Sequence, residues 1–164
     1  MLVMPEVIVI AHNIRSTHNI GSIFRTCEGF GVAKLILSGY TPYPAMKNDP
    51  RLPHIANKLT AQIHKTALDA EVMVPFEYQA HPDFAALRAR GFTIVGLEQD
   101  KRSILLPSYK APKKIALLLG EEVEGLTDDL RNQCDDLIEI PMKGKKESFN
   151  VSIAAGIALY ALND

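Results

Sequence analysis

Residues 140–160, IPMKGKKESFNVSIAAGIALY, contain three segments with different properties. The first, Ile140–Met142, ends a short apolar run at Pro141, which has no N–H to donate to a central strand. The second, residues 143–147, holds the only dense basic cluster in the chain. The third begins at Ser148 and leads into an apolar helix, whose first N–H groups are free to bind a polar ligand. Taken alone, the stretch is better explained by a capped helix behind a solvated run of charges.

The helix predicted at the end of the chain, Asn150–Leu162, is apolar nearly all round. Small residues stand at Ala154, Ala155, Gly156 and Ala158, which allow close helix contact. A helix with no polar face must be buried on all sides. We therefore expect one side to pack on a sheet and another on a second subunit, which predicts a homodimer.

Short β-rich runs alternate with helical patterns along the rest of the chain. The predicted strands are apolar without strict alternation, at Val7–Ile10, Lys34–Leu37, Val72–Phe76, Phe92–Leu97, Ile115–Leu119 and Leu137–Ile140. The predicted helices are Ile20–Phe30, Pro82–Arg90, Thr127–Cys134 and Asn150–Leu162. Such strands are typical of a parallel sheet covered by helices on both faces. The order predicts a single three-layer α/β/α domain over residues 1–164, with a mostly parallel sheet.

Local signals mark the ends of these elements. Gly31 and Gly91 are placed where a helix must end, and glycine takes the left-handed conformation that ends one. Thr127 is a predicted N-cap, since two aspartates follow it at the positive end of the helix dipole. Four prolines between residues 39 and 53 predict a long loop, and a loop of that length in a compact domain is more often functional than idle.

Composition restricts the classes of function. The 164 residues are 47% hydrophobic and 23% charged, the balance of a folded domain. The net charge of −1 counts against RNA binding unless a local basic patch supplies the contacts. Cys27 and Cys134 have no metal-ligand spacing, so we expect reduced thiols, a cytoplasmic location and no metal. The N-terminus is typical of a strand rather than a signal peptide. The apolar run Val151–Leu162 is shorter than the roughly 20 residues that span a bilayer, so no membrane partner is expected.

The segment from Asn19 to Arg25, NIGSIFR, directly follows the first predicted strand and its short loop. Asn19 is predicted to cap the helix, Gly21 lets another part of the chain approach the backbone, and Arg25 lies in the second helical turn. Arginine offers a planar set of donors suited to a phosphate or a developing oxyanion. Considered alone, a helix start with a surface arginine is the simpler interpretation.

The segment from Leu117 to Leu126, LLLGEEVEGL, joins an apolar strand to an acidic turn. In open α/β sheets, ligands bind beyond the carboxyl ends of strands, where Gly120 and Glu122 are expected. The turn lacks GxGxxG, and its carboxylates would repel a pyrophosphate, so it is compatible with a ligand that carries positive charge. An acidic, solvated turn is the alternative.

In this order and spacing, the three segments together resemble the SpoU branch of the SPOUT methyltransferases, whose motifs span almost the whole chain. The matching motifs are Asn19-x-Gly21-x-x-x-Arg25, Gly120-x-Glu122-x-x-Gly125, Ile140-Pro141-Met142 and Ser148-x-Asn150-Val151-Ser152. Each match is weak alone, and the last is the most specific.

The resemblance implies a fold in which the C-terminal segment threads through a loop to form a deep trefoil knot, which sequence physics would not predict. It also implies S-adenosylmethionine as the cofactor, held largely by backbone groups. The matching cofactor-binding positions are Leu97, Leu119, Gly120, Ile140, Met142 and Phe149. The family commonly has leucine where this chain has Phe149, and the expected contact is apolar with either residue.

The implied reaction is methyl transfer to a ribose 2′-hydroxyl of tRNA or rRNA. Arg25 matches the family's catalytic arginine. A guanidinium is effectively always protonated, so we expect it to bind the substrate phosphate and stabilise the forming 2′-alkoxide. Asn19, Glu122, Ser148 and Asn150 match the other catalytic-site positions, which hold the substrate. The family's dimer is obligatory, and the chain resembles its minimal members, which favours tRNA over rRNA.

Two other hypotheses are compatible with parts of the sequence. A non-catalytic RNA-binding protein on the same fold is disfavoured because all five catalytic-site residues are present. A generic nucleotide-binding α/β module lacks its glycine fingerprint. Phosphate contacts, whose affinity falls steeply with salt, are predicted at Arg15, Arg25, Lys143, Lys145, Lys146 and the loop Lys47–Arg51.

Overall fold

Seven parallel strands form one sheet in the computed structural model, which describes residues 3–164. The strands are β1 (Glu6–His12), β2 (Lys34–Ser38), β3 (Phe76–Gln79), β4 (Thr93–Leu97), β5 (Ile104–Leu105), β6 (Lys114–Leu119) and β7 (Asp136–Glu139). Their order across the sheet is β3-β2-β1-β6-β4-β7-β5, and every strand pair is parallel. The carboxyl ends of all strands therefore lie at the same edge.

Within residues 3–164, six helices cover the two faces of the sheet. They are α1 (Thr17–Gly29), α2 (Pro53–Ala67), α3 (Ala70–Met73), α4 (Phe84–Ala89), α5 (Asp128–Gln133) and α6 (Val151–Leu162), with a short 3-10 turn at Leu106–Ser108. Val7 and Val9 of β1 belong to the core under α1, α2 and α6, whereas Ile8 and Ile10 belong to the core under α4. Both faces of the strands are buried, which confirms the predicted three-layer α/β fold. No helix in residues 3–164 is both long and apolar enough to cross a membrane.

The predicted strand Val72–Phe76 is wrong. Helix α3 occupies Ala70–Met73, and β3 begins only at Phe76. Pro75 holds the preceding Val74 in an extended conformation, with φ −86° and ψ 122°, so the chain can become a strand only after that point. Val72 is 80% exposed, and its β-branched side chain therefore has no sheet neighbour to favour a strand.

The prediction that Asn19 caps α1 is also wrong. Ser16 is the N-cap, and its Oγ accepts a hydrogen bond from the Asn19 N–H at 3.1 Å. Asn19 thus lies in the first turn, with its side-chain amide free for other contacts. The predicted cap at Thr127 is confirmed, because its Oγ1 accepts from the Leu130 N–H at 3.2 Å.

Besides α3, two elements have no counterpart among the sequence predictions, the helix α2 and the short strand β5. Helix α2 starts with Pro53 at its first turn, where the missing N–H costs nothing. The predicted loop before it is confirmed, since residues 40–52 contain no helix or strand.

Helix α6 packs against α1 and is buried along one side only. Ala155, Ala158 and Leu159 are fully buried, but Ile153 is 56% exposed and Tyr160 67%. The all-round burial expected for this apolar helix is therefore not met within a single chain.

Candidate functional site

A cleft of about 230 Å³ opens at the carboxyl ends of β4, β6 and β7. Its walls come from the turns that follow these strands and from the start of α6. All six predicted cofactor-binding residues line it: Leu97, Leu119, Gly120, Ile140, Met142 and Phe149. Two of the predicted catalytic-site residues, Glu122 and Ser148, line it as well.

Gly120 allows the turn after β6 to fold tightly against itself. A Cβ at Gly120 would lie 2.7 Å from the carbonyl carbon of Gly125 and 2.8 Å from the backbone nitrogen of Leu126. The Gly125 N–H donates to the Glu121 carbonyl at 2.9 Å, which closes the turn. Any side chain at position 120 would therefore displace one wall of the cleft.

Glu98 supports the same turn from the end of β4 and was not predicted. Its Oε2 accepts a hydrogen bond from the Leu126 N–H at 2.7 Å, and its Oε1 accepts from the Gln99 N–H at 2.9 Å. The residue follows Leu97 directly, at the carboxyl end of a buried strand. That position is the one sequence signal that could have identified it.

The carboxylate of Glu122 ties the turn to the start of α1. It accepts hydrogen bonds from the Arg15 N–H at 3.3 Å, the Ser16 N–H at 3.2 Å and Nδ2 of Asn19 at 3.5 Å. Burial alone would raise the pKa of Glu122, but these donors and its own backbone N–H outweigh burial and lower it. Glu122 is therefore an ionised acceptor at neutral pH and is poorly suited to accept a proton.

Asn19 and Asn150 join the first motif to the third. Asn150 Nδ2 donates to Asn19 Oδ1 at 3.2 Å. Asn150 is also the N-cap of α6, because its Oδ1 accepts from the Ser152 N–H at 2.9 Å. Glu122, Asn19 and Asn150 thus form a hydrogen-bonded chain across segments that lie far apart in sequence.

The structure does not bring Arg25 to this cleft. Arg25 is exposed on α1 and lines a separate shallow depression with Lys65 and Thr66 of α2. The residues lining the cleft include several glutamates but, within residues 3–164, no lysine or arginine. Within one chain, the acidic cleft and the predicted catalytic arginine are therefore distinct features.

The basic residues that were predicted to contact phosphate differ in their availability. Lys143, Lys145 and Lys146 are exposed beside the cleft. Arg51 is not available, because it pairs with Asp49 at 2.7 Å, donates to the Tyr43 carbonyl at 2.8 Å and stacks on the Tyr43 ring at 3.5 Å. Its guanidinium holds the loop before α2 together, although Arg51 also lines an open depression with Arg15, so the phosphate contact expected for the loop Lys47–Arg51 stays a prediction.

The cleft fits a ligand that is apolar at one end and cationic at the other. Leu97, Leu119 and Ile140 offer apolar surface from three strand ends, while Glu121 and Glu122 place carboxylates nearby. The adenine and the sulfonium of S-adenosylmethionine have these two properties. The residues present therefore fit that cofactor.

Comparisons with known proteins agree with this site. Residues 6–160 match the model of the SpoU rRNA Methylase family. The tRNA (guanosine(18)-2′-O)-methyltransferase of Aquifex aeolicus is 31% identical over 155 residues, which are 94% of this chain and 67% of that protein. A 23S rRNA (guanosine-2′-O-)-methyltransferase of Nitrosomonas europaea is 30% identical over 97% of this chain and 56% of its own length.

Solved structures show the same fold. The AdoMet-bound rRNA methyltransferase from Sinorhizobium meliloti superposes with a TM-score of 0.79 and 25% identity, over 97% of this chain and 56% of that one. The chain thus spans little more than half the length of several of its relatives. The family model covers nearly all of the described residues, and this chain belongs to the SpoU rRNA Methylase family.

Proposed function

We propose that this chain transfers a methyl group from S-adenosylmethionine to a ribose 2′-hydroxyl of RNA. The observation that carries the proposal is the cleft at the carboxyl ends of β4, β6 and β7, which all six predicted cofactor-binding residues line. Relatives named as guanosine 2′-O-methyltransferases support the reaction class. When bound, S-adenosylmethionine supplies an electrophilic methyl group on a positively charged sulfur.

The chain's own residues then hold and orient the reactants. Leu97, Leu119 and Ile140 exclude water from the apolar part of the cleft, and the carboxylates around Gly120 favour a cationic ligand. Glu122, Asn19 and Asn150 fix the polar rim through their hydrogen-bonded chain. Holding two reactants in line accounts for a large part of the rate enhancement in such a transfer.

Arg25 is proposed to act at the cleft of a second copy of this chain. It lies outside the cleft of its own chain, and α6 beside it exposes an apolar side that includes Ile153 and Tyr160. A C2 dimer through α6 would bury that side and bring each Arg25 towards the partner's cleft. There the guanidinium would bind the substrate phosphate and stabilise the 2′-alkoxide.

Light scattering tests the dimer. Ile153→Glu is expected to give a monomer because it would bury a charge in the interface. Val72→Glu is the matched control, since Val72 is 80% exposed on α3, whose main helix contacts are with α1 and α2. A monomeric wild-type protein, or an Ile153→Glu variant that is still a dimer, would refute this arrangement.

The sheet order supports the predicted knot. Strand β7 lies between β4 and β5 and is parallel to both, although β4 and β5 are consecutive in the chain. Strand β7 thus separates β4 from β5, which belongs to the connection that leads from β4 to β6. We infer that the chain after β7 threads through this connection before it forms α6.

The proposed substrate is tRNA rather than rRNA, bound partly through Lys143, Lys145 and Lys146. The A. aeolicus relative, which is named as a tRNA enzyme, supports this choice, and the N. europaea relative, which is named as a 23S rRNA enzyme, makes rRNA the alternative. Purified protein would be incubated with methyl-labelled S-adenosylmethionine and with either bulk tRNA or rRNA. Nucleosides would then be identified by mass spectrometry.

We expect 2′-O-methylated nucleosides in the tRNA digest, and Arg25→Ala should remove them. Label on a base, or in rRNA alone, would contradict the proposed substrate. The competing function, a non-catalytic RNA-binding protein, predicts no transfer to any RNA. Calorimetry with S-adenosylmethionine separates the two, because the enzyme must bind the cofactor.

A further inference from the structure

Three potential metal-binding side chains meet where α2 ends and α3 begins. His64 Nδ1 lies 2.5 Å from Oε1 of Glu71 and 3.6 Å from Oδ1 of Asp69. One ligand atom from each residue lies within 4.8 Å of the other two. The cluster is on α2 and α3, outside the cleft described above, and the proposed methyl transfer makes no use of it.

Glu71 is unusual among these residues because it is buried. Its side chain is only 5% exposed, and its Oε2 has no hydrogen-bond partner. Within residues 3–164, the only other buried side-chain nitrogen or oxygen without a hydrogen-bond partner is Nε of Arg131. A buried carboxylate oxygen without a partner carries a desolvation cost, which a bound ion would remove.

We propose that His64, Asp69 and Glu71 bind one divalent cation of the zinc type. One imidazole nitrogen and two carboxylate oxygens form a donor set that Zn²⁺ accepts, with water as the fourth ligand. Its positive charge would offset the negative charge of the buried Glu71 carboxylate. It would also lie at the negative end of the α2 dipole, where positive charge is stabilising.

The three ligand atoms already lie within 4.8 Å of one another, so each pair has to reach the separation found around a tetrahedral ion. Tetrahedral zinc separates its nitrogen and oxygen ligands by about 3.3 Å. The distance from His64 to Asp69 is already 3.6 Å, whereas His64 must move away from Glu71 by about 0.8 Å. The His64 side chain is 49% exposed and has room to do so. When the cation binds Nδ1 of His64, any proton on that nitrogen is released.

A bound cation would fix the turn between α2 and α3. Leu68 and Asp69 in this turn have left-handed backbone conformations, with φ of 49° and 78°. The preceding residues, Lys65 and Thr66, line the depression that contains Arg25. The site would therefore stabilise the helix end that borders this arginine.

Calorimetric titration of the metal-stripped full chain with Zn²⁺ tests the proposal. We expect one ion per chain. The variants are His64→Ala, Asp69→Asn, which keeps a residue tolerant of the left-handed conformation, and Glu71→Gln. Each should bind Zn²⁺ at least about tenfold more weakly, because loss of an outer partner alone has that effect. His54→Ala, an exposed histidine on the first turn of α2, is the matched control and should bind normally.

Circular dichroism of each variant would confirm that it is folded. Absence of Zn²⁺ binding by the wild-type chain would overturn the proposal. So would a folded variant of any of the three residues that keeps the wild-type affinity, because other donors would then hold the ion. The readout is metal binding alone, so the result is independent of the proposed methyl transfer.

Discussion

Replacing Gly120 by alanine is expected to damage the cofactor cleft without touching any catalytic group. The new Cβ would lie 2.7 Å from the Gly125 carbonyl carbon and 2.8 Å from both the backbone nitrogen and Cδ2 of Leu126. Two of these three atoms belong to the backbone, so the collision cannot be relieved by a side-chain rotation alone. The turn that forms one wall of the cleft must move.

The size of the effect follows from this overlap. Inserting a methyl group into a well-packed site costs about 1–3 kcal/mol. Exchange of glycine for alanine also stabilises the folded state by ~0.4–1 kcal/mol, because it lowers the conformational entropy of the unfolded chain. Gly144→Ala is the matched control, because it has the same unfolded-state gain while its Cβ would meet nothing within 4 Å. The difference between the two variants therefore isolates the strain.

Two measurements report that difference. For a chain of this size, about 1–3 kcal/mol corresponds to a Tm roughly 2–12 °C lower for Gly120→Ala than for Gly144→Ala. If the strain is relieved by movement of the wall, calorimetry should show S-adenosylmethionine binding about 5- to 150-fold more weakly. Equal Tm values and equal cofactor affinities for the two variants would refute the role given to the Gly120 turn.

Three further predictions concern the polar residues around the cleft. Arg25→Ala should abolish transfer of labelled methyl groups to RNA while cofactor affinity by calorimetry is unchanged, and full turnover would contradict its role. Glu122→Gln should lower Tm at neutral pH. Because the folded-state pKa of Glu122 is lowered, its stabilisation is present above the ordinary glutamate pKa of about 4.3 and is lost as pH falls through the folded value. The Tm difference from wild type should therefore shrink in acid, and a constant difference would argue against an ionised carboxylate. Ser16→Ala should cost about 1 kcal/mol in urea unfolding through loss of the α1 cap, whereas Ser22→Ala on the same helix should be nearly neutral.

The buried strands were predictable because the sheet covers both of their faces. Residues 7–11 of β1 and 115–119 of β6 are apolar without alternation, and each of them is buried in one of the two cores. The segment Val72–Phe76 has similar β-rich composition, but α3 keeps Val72 exposed and Pro75 delays the strand. Amino-acid composition alone does not predict whether a residue will be exposed in the fold or where a proline will delay a strand. Helix α2 was missed for the same reason, since only Ala56, Ile63 and Ala67 along its 15 residues are buried.

The candidate site was predictable to the extent that its residues follow strand ends. Leu97, Gly120 and Ile140 follow or end three neighbouring strands, and parallel topology brings such positions together. The arrangement around Arg25 was not predictable, because its distance from the cleft depends on how α1 packs on α2. The cluster at His64, Asp69 and Glu71 gave no sequence signal either, since it depends on two consecutive left-handed residues between α2 and α3.

Asn19 shows why one particular side chain is needed where the three motifs meet. Its Nδ2 donates to Glu122 at 3.5 Å, while its Oδ1 accepts from Asn150 at 3.2 Å. An amide offers a donor and an acceptor on the two branches of one planar group. Aspartate at this position would keep the contact with Asn150 but would place a second carboxylate next to the ionised Glu122. The repulsion between the two carboxylates would separate the turn after β6 from the start of α1. Serine would be too short to reach both partners. Ser16 caps the helix, so the side chain of Asn19 does not have to do so. Its amide can therefore join segments from the start, the middle and the end of the chain into one polar rim.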